Sequence, residues 1–356
     1  MSIYSVITGT GSCIPSKVKK NSDFLSSTFL NEEGAVFKGS NDVTIGKFKQ
    51  ITGIEERRYA EDHLNTSDLA TIAAEKAIKS SGIDRNTIDQ IIVAHNFGDV
   101  KYGSIQGDTL PSLASKIKNK LKIKNTYCVA YDLLFGCPGW VQGIIHGEAF
   151  IKSGMAKKIL VIGAETLSRV VDDFDRDSMI YADGAGAVIL EAKESKEPVG
   201  VLSYGAQSFT EKETNYLFFG ESYNNDALDN TKYIKMNGRK IYEFALNNVP
   251  DAMKSVLEDS GISINQVKKI CIHQANEKMD EAIVERFYKL YNLKAPESVL
   301  PMSIYKLGNS SSATVPTLLD LILKGKMEGH QIVSGDVVIL ASVGAGMNIN
   351  AVVYKF

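Results

Sequence analysis

The chain offers few residues for nucleophilic or proton-transfer chemistry, and their settings differ. Its cysteines are Cys13, Cys128, Cys137 and Cys271, and its histidines are His63, His95, His146, His273 and His330. Cys137 lies in Phe-Gly-Cys-Pro-Gly-Trp, where Pro138 suits the first position of a helix because proline fixes φ and has no N–H to lose. Val141, Ile144, Ile145 and Phe150 then form one apolar face. A thiol at a helix start meets unpaired backbone N–H groups and the positive end of the dipole, and both favour thiolate. Burial at a crowded turn is the alternative, since cysteine is among the most buried residue types. Cys128 and Cys271 sit within apolar strands and read as core, while Cys13, beside Pro15, gives no signal. His273 closes the apolar run of Lys-Lys-Ile-Cys-Ile-His-Gln-Ala-Asn. Strand ends in α/β sheets gather ligands and catalytic groups, and a surface-capping histidine is the other reading. Asn309, in Leu-Gly-Asn-Ser-Ser-Ser-Ala-Thr-Val-Pro, precedes an apolar helix, so capping alone accounts for it. Gly344 and Gly346 bend the chain between two strands, either to turn it or to expose backbone N–H groups to a ligand. Tyr181 to Glu191 reads as a structural turn and strand. With no Gly-x-Gly-x-x-Gly, no Cys-x-x-Cys and no His-Glu-x-x-His, neither a dinucleotide nor a metal site is expected.

The elements that must position these residues repeat. Ser81 to Val93 (SGIDRNTIDQIIV) lies over Ser260 to Ile272 (SGISINQVKKICI) without a gap, each reading as a helix end, a polar turn and a buried strand. In this overlay Ala94 faces His273 and His95 faces Gln274, so the histidine function belongs to the second half. The strand near Tyr4 to Ser12 resembles Val199 to Ser208, and Lys157 to Glu165 parallels Asp336 to Gly344. Apolar-periodic helices near Val141 to Ile151 and Val315 to Leu323 precede the later strands. Strands alternating with helices predict α/β architecture in two related halves, residues 1–195 and 196–356, meeting near Lys193 to Pro198. A chance likeness of generic βα units is the alternative. Phe97 to Thr109 and Phe209 to Thr231 lack periodicity and read as loops, the second on its Asn-Asn-Asp and Asp229-Asn230 turn signals.

Composition excludes other classes. A net charge of -2 gives no global pull toward nucleic acid or anionic membrane. No stretch approaches the ~20 apolar residues of a membrane span, and the N-terminus lacks the charged start and apolar run of a signal peptide. A cytoplasmic protein with reduced thiols is expected.

Taken in chain order, Cys137, His273, Asn309 and the late Gly-Ala-Gly bend resemble the β-ketoacyl-acyl carrier protein synthase III family, of thiolase fold. The likeness runs along nearly the whole chain, through GTGSCIP at Gly9, TGIEERR at Thr52, TSDLA at Thr66, ILVIGAETLSR at Ile159, DRDSMIYADGAGAVILE at Asp175, HQAN at His273 and LGNSSSATVP at Leu307. The resemblance implies two pseudo-repeated halves in five α-β-α-β-α layers, a homodimer, and no cofactor beyond the acyl-coenzyme A and acyl carrier protein thioesters that serve as substrates. It implies that Cys137 takes an acyl group, and that malonyl-acyl carrier protein then loses carbon dioxide to an enolate that attacks the acyl-cysteine. His273 and Asn309 would both donate hydrogen bonds to the developing enolate. The Cys137 N–H and one from Gly344, Ala345 or Gly346 would form a second oxyanion hole. Lys278 matches a basic position for carrier docking, with Lys235, Arg239 and Lys240 as a possible extension of the patch, and Arg176 matches a basic residue of the coenzyme A site.

Departures from the family pattern put the acyl donor in question. The positions of its usual Trp and Arg before Thr-Gly-Ile hold Lys47 and Ile51, so the aromatic platform for coenzyme A is expected to be absent. The loop at Phe97 to Thr109, which by resemblance helps shape the acyl pocket across the dimer, is longer than usual, and Phe-Gly-Cys-Pro-Gly-Trp replaces smaller residues. A specialised enzyme of polyketide, resorcinol or polyene lipid synthesis, using a longer, aromatic or carrier-bound donor, is therefore the alternative to fatty-acid initiation. A non-decarboxylating acyltransferase, a silent dimer partner and a papain-like Cys-His-Asn protease are further readings. Intact His273 and Asn309 disfavour the first, the retained Cys137 the second, and the repeated halves the third.

Overall fold

A computed structural model of the chain describes residues 1–226 and 230–356. The first half builds a sheet from β1 (Ser2–Cys13), β2 (Gln90–Ala94), β3 (Val129–Leu133), β4 (Lys158–Thr166) and β5 (Asp183–Ser195), in the order β1-β5-β4-β2-β3. β2 runs parallel to both neighbours, and β5 is antiparallel to both of its own. A parallel strand covered on both faces explains why Ile91 to Ala94 is a continuous apolar run rather than an alternating one. The second half contains β6 (Gly200–Ser208), a hairpin of β7 (Leu217–Glu221) and β8 (Lys232–Met236), then β9 (Val267–Ile272), β10 (Val337–Gly344) and β11 (Asn348–Lys355). Its sheet order is β6-β11-β10-β9, which reproduces β1-β5-β4-β2 strand for strand and direction for direction. Even the irregularities correspond: β1 slips register between Ile7 and Gly9, and β6 between Val201 and Ser203.

The helices are α1 (Asn41–Thr52), α2 (Thr66–Ser81), α3 (Leu113–Lys120), α4 (Gly139–Lys152), α5 (Gly238–Asp259), α6 (Glu277–Lys289) and α7 (Thr314–Leu323). α4 and α7 lie between the two sheets, and a helix with a sheet on either side must be apolar nearly all round, as both are. α2 and α3 cover the outer face of the first sheet, α5 and α6 that of the second, each with one apolar face turned inward. The layering is therefore α-β-α-β-α. The repeated Ser-Gly marks where α2 and α5 stop. Gly82 and Gly261 follow them with φ of 74° and 70°, a left-handed stop that glycine enters at little cost. The halves are pinned together by Asp320 on α7, which accepts hydrogen bonds from Thr10 Oγ1 at 2.7 Å and Ser12 Oγ at 2.6 Å on β1.

Three local expectations change. The segment 209–231 contains β7, paired with β8. Phe218 and Phe219 are half exposed on it, so no clean alternation betrays the strand. Its Asp229 turn signal lies outside the described residues. The 97–109 loop is drawn together by a short ladder of Asp99–Val100 with Gly107–Asp108. A single helical turn, Ile304–Leu307, precedes Asn309. Among the described residues no helix is long and apolar enough to cross a membrane.

Candidate active site

Cys137 stands in the turn between β3 and α4. Pro138 is the residue before the helix rather than its first residue, with φ of -70° and ψ of -2°, so the thiol sits one position further from the first turn than the sequence predicts. The Gly344–Gly346 bend packs directly against it. A Cβ on Gly344 would fall 2.8 Å from both the Cβ and the backbone N of Cys137. A Cβ on Gly136, whose φ is +71°, would fall 3.0 Å from the Ala345 nitrogen and 3.1 Å from its Cβ. The two glycines thus let two turns from opposite halves touch, which no side chain at either position would permit. Cys137 is half-buried and opens onto a cavity of about 940 Å³, shared with His273, Asn309 and Gly344.

β9 delivers His273 at its end, where its backbone N–H donates to the Ala341 carbonyl at 2.8 Å. The ring Nδ1 lies 2.7 Å from Thr314 Oγ1, and that hydroxyl donates to the Ser311 carbonyl at 2.9 Å. A hydroxyl has one proton and a carbonyl can only accept, so both contacts are satisfied only when Nδ1–H donates to Thr314. Nε2 then carries the lone pair. Burial pushes the imidazole down to about 4, so it is neutral. The resting His273 is therefore an acceptor at Nε2, not the donor expected from sequence.

Asn309 is clamped from two sides. Its backbone N–H donates to Ile180 at 3.0 Å and its carbonyl accepts from Ala182 at 2.8 Å, a bridge that ties the two halves together behind the site. Its side-chain Oδ1 accepts from the Ser311 N–H at 2.8 Å. With the acceptor end occupied by protein, the amide group left to donate is Nδ2.

The thiol departs from the expected thiolate. Burial pushes Cys137 up to about 12, the Ser311 hydroxyl lowers it in part, and the Glu165 carboxylate raises it further. Ser311 Oγ reaches Sγ at 3.3 Å. Behind Ser311 lies a buried polar cluster that sequence reasoning missed. Asn96 Nδ2 donates to Ser311 Oγ at 3.1 Å and also to Glu165, whose carboxylate further accepts from Ser312 Oγ at 3.2 Å. A signal was present in the sequence: the apolar run of β4 ends in Glu165 just as that of β9 ends in His273.

The basic residues separate. Arg176 lines the cavity mouth with its guanidinium 4.6 Å from the centre of the Phe37 ring. Phe37, in the segment before α1, is the aromatic ring beside Arg176, while the α1 positions read from sequence carry Lys47 and Ile51. Arg239 also lines the mouth. Lys278 is exposed near the start of α6 but opens onto a different groove, with Lys289 and Lys294. Lys235 is not part of any surface patch. It is buried, 2.6 Å from Asp172 and 3.1 Å from Asp175, because both carboxylates lie on the chain segment that β8 packs against.

This constellation has close relatives. The family model for 3-oxoacyl-[acyl-carrier-protein (ACP)] synthase III matches residues 131–208, and its C-terminal counterpart matches residues 257–356. The β-ketoacyl-[acyl-carrier-protein] synthase III of Ehrlichia canis is 33% identical over 346 residues, 96% of each chain. Synthase III 1 of Vibrio vulnificus is 32% identical over 355 residues, 99% of this chain and 100% of that one. The crystal structure of 3-oxoacyl-[acyl-carrier-protein] synthase III from Aquifex aeolicus superposes with a TM-score of 0.80 at 29% identity, covering 99% of this chain and 100% of that one. The chain therefore belongs to the β-ketoacyl-acyl carrier protein synthase III family of condensing acyltransferases.

Proposed function

We propose that the protein joins an acyl thioester to malonyl-acyl carrier protein by decarboxylative condensation, with Cys137 as the acyl carrier. The observation that carries this reading is the meeting of four groups on one cavity: the Cys137 thiol, the Gly344 backbone, the Asn309 amide and His273. Sulfur serves both half-reactions, as nucleophile toward the donor and as leaving group toward the enolate. Decarboxylation places negative charge on the malonyl thioester oxygen, and Asn309 Nδ2 is the group positioned to donate there. An amide has no acid–base role, so its work is charge stabilisation. His273 joins it as a donor when the Thr314 hydroxyl turns from the Ser311 carbonyl to Nδ1 and the ring proton moves to Nε2. The loss is one hydrogen bond, about 1 kcal/mol. The bend at Gly344–Gly346 lies close enough to Cys137 for one of its N–H groups to join the Cys137 N–H in holding the tetrahedral intermediate.

Arg176, beside Phe37, is the group placed to meet a coenzyme A headgroup, and exposed Lys278 one placed to meet an acidic carrier. A second reading, a specialised ketosynthase with a longer or carrier-bound donor, is favoured by the charge at the mouth. There Lys38, Lys47, Arg176 and Arg239 are offset by Glu32, Glu33, Asp177 and Glu243, with Asp175 already paired to buried Lys235, which leaves no net attraction for coenzyme A phosphates. A homodimer is supported by β3, an edge strand whose neighbourhood exposes Tyr127, Val129, Leu134 and Leu110.

The test is the intact mass of the protein after exposure to acyl-coenzyme A and acyl-carrier donors, with peptide mapping. An acetyl adduct on Cys137 from coenzyme A supports initiation of fatty-acid synthesis. An adduct from long or carrier-bound acyl groups alone supports the specialised reading. No adduct from any donor contradicts both.

A further inference from the structure

Glu165 is a carboxylic acid sealed in the protein, 1% exposed, and the condensation chemistry above leaves it without a task. It stands at the end of β4. The groups facing it are Asn96 after β2, Ser311 and Ser312 ahead of α7, the backbone of Gly184 on β5, and Cys137 ahead of α4. Other ionisable groups nearby are engaged elsewhere. His95 Nδ1 accepts from the Gly98 N–H and its Nε2 meets Asp132 at 2.9 Å, while Asp183 is held by Ala60 and Ser168. Among the described residues Cys137 is thus the one ionisable group left facing Glu165, and the Ser311 side chain touches both, its hydroxyl donating to Sγ at 3.3 Å and lying within hydrogen-bonding reach of the Glu165 carboxylate. Ser311 is also strained. Its φ of +50° is in the left-handed region, which a serine enters at a cost, and the Asn309 side chain holds its N–H there. The strain points its hydroxyl at Sγ.

Resting on the condensing reading of Cys137, we propose that Glu165 receives the Cys137 thiol proton through the Ser311 hydroxyl and gives it back when the acyl group leaves. In the first half-reaction the Ser311 hydroxyl turns from Sγ to the Glu165 carboxylate, and the S–H proton then moves to Ser311 Oγ as the Ser311 proton moves to Glu165. Sγ bonds to the acyl carbon, and the donor leaves as its thiolate, which takes a proton from solvent. In the second, the enolate carbon bonds to the acyl carbon and the C–S bond breaks. The Cys137 thiolate then recovers a proton from Ser311, which is refilled by Glu165. Protons and charge balance over the cycle with one proton drawn from solvent by the leaving thiolate. A hydroxyl suits the middle position because it accepts and donates at once. Burial pushes Glu165 up to about 8, so the acceptor becomes available as pH rises toward that value.

Alkylation of Cys137 by iodoacetamide tests the relay without any acyl donor. In the wild-type protein the rate should rise with pH through about 8, where Glu165 is half ionised, and level off beyond it. In E165Q the thiol can lose its proton only to solvent. Its rate should be about 10²-fold lower near neutrality and should climb with no plateau. S311A should behave the same way, and the E165Q/S311A double variant should be no slower than either single one. If Glu165 merely repels the thiolate, E165Q will be alkylated faster, and that result overturns the proposal, as does an unchanged rate and profile. Should E165Q melt at a lowered temperature, S311A decides alone by the same criterion. Failure of every acyl donor on wild type would sink the condensing reading and leave this profile intact, so the two failures are distinguishable.

Discussion

The two halves of the molecule share a strand order and part company at the same few positions. β2 closes at Ala94 with His95 next, and β9 closes just before His273-Gln274, the matching pair. The second residue does similar work in both. His95 holds the Gly98 N–H and Asp132 on β3, and Gln274 holds the Pro301 carbonyl and Ser303 beyond α6, so each ties its strand end to a distant segment. The first residue is where they diverge, alanine in one half and the cavity-lining histidine in the other. The ends of β4 and β10 diverge likewise. Glu165 and Gly344 are counterparts, and they flank Cys137 from opposite sides, one through Ser311 and the other by direct contact. The lesson is that the repeated scaffold places equivalent strand ends around one point, and chemistry is divided by what each end carries. On the proposed reading the first half holds the acyl group and the second receives the developing charge.

That division can be broken at several places, with effects of decreasing size. Cys137→Ala should abolish acyl adducts from every donor, read by intact mass, while leaving the fold as judged by thermal melting. Gly344→Ala should press on Cys137 and Pro138. Overpacking of this kind costs about 1–3 kcal/mol of stability and should slow acylation as well, read by denaturation and by adduct rate. The His273 step should be insensitive to pH from 8 down to about 5. Burial holds the folded imidazole at about 4 against an ordinary 6.5, so the neutral ring persists until pH falls through the lower value. By the same sign, stability from this residue is complete above 6.5 and is lost as pH falls through 4, which denaturation measured at several pH values checks. Thr314→Val should remove the Nδ1 partner and lower the condensation rate about five-fold, roughly 1 kcal/mol, with little change in acylation.

Much of this arrangement was legible in the sequence, and the losses have physical causes. The Ser-Gly-Ile repeats, the buried strands and the two central helices are local patterns, and period and punctuation reveal them. Cys137, His273 and Asn309 stood out because each is a polar residue at the edge of an apolar run. Glu165 has the same signature and was passed over, since nothing local says that a cysteine lies behind Ser311. Lys235 read as a surface cation because its partners, Asp172 and Asp175, are distant in sequence. The contact of Phe37 with Arg176 is hidden in sequence because Phe37 lies outside α1 and far from Arg176 along the chain. The His273 tautomer depends on Thr314 and the Ser311 carbonyl, a contact that only tertiary structure creates. The thiol's high pKa depends likewise on burial that a helix-start motif does not reveal.

The central claim, that the halves divide acylation from decarboxylation, is tested most directly with Asn309→Ala. Loss of one such donor costs about 2.7–4 kcal/mol in the barrier, a factor of roughly 10²–10³. Acyl adducts on Cys137 and carbon dioxide release from malonyl-acyl carrier protein would be measured on the same preparation. Carbon dioxide release reduced by that factor, with acylation slowed far less through the lost hold on the Ser311 N–H, is the predicted result. Loss of acylation together with decarboxylation, or normal release of carbon dioxide, would contradict the account.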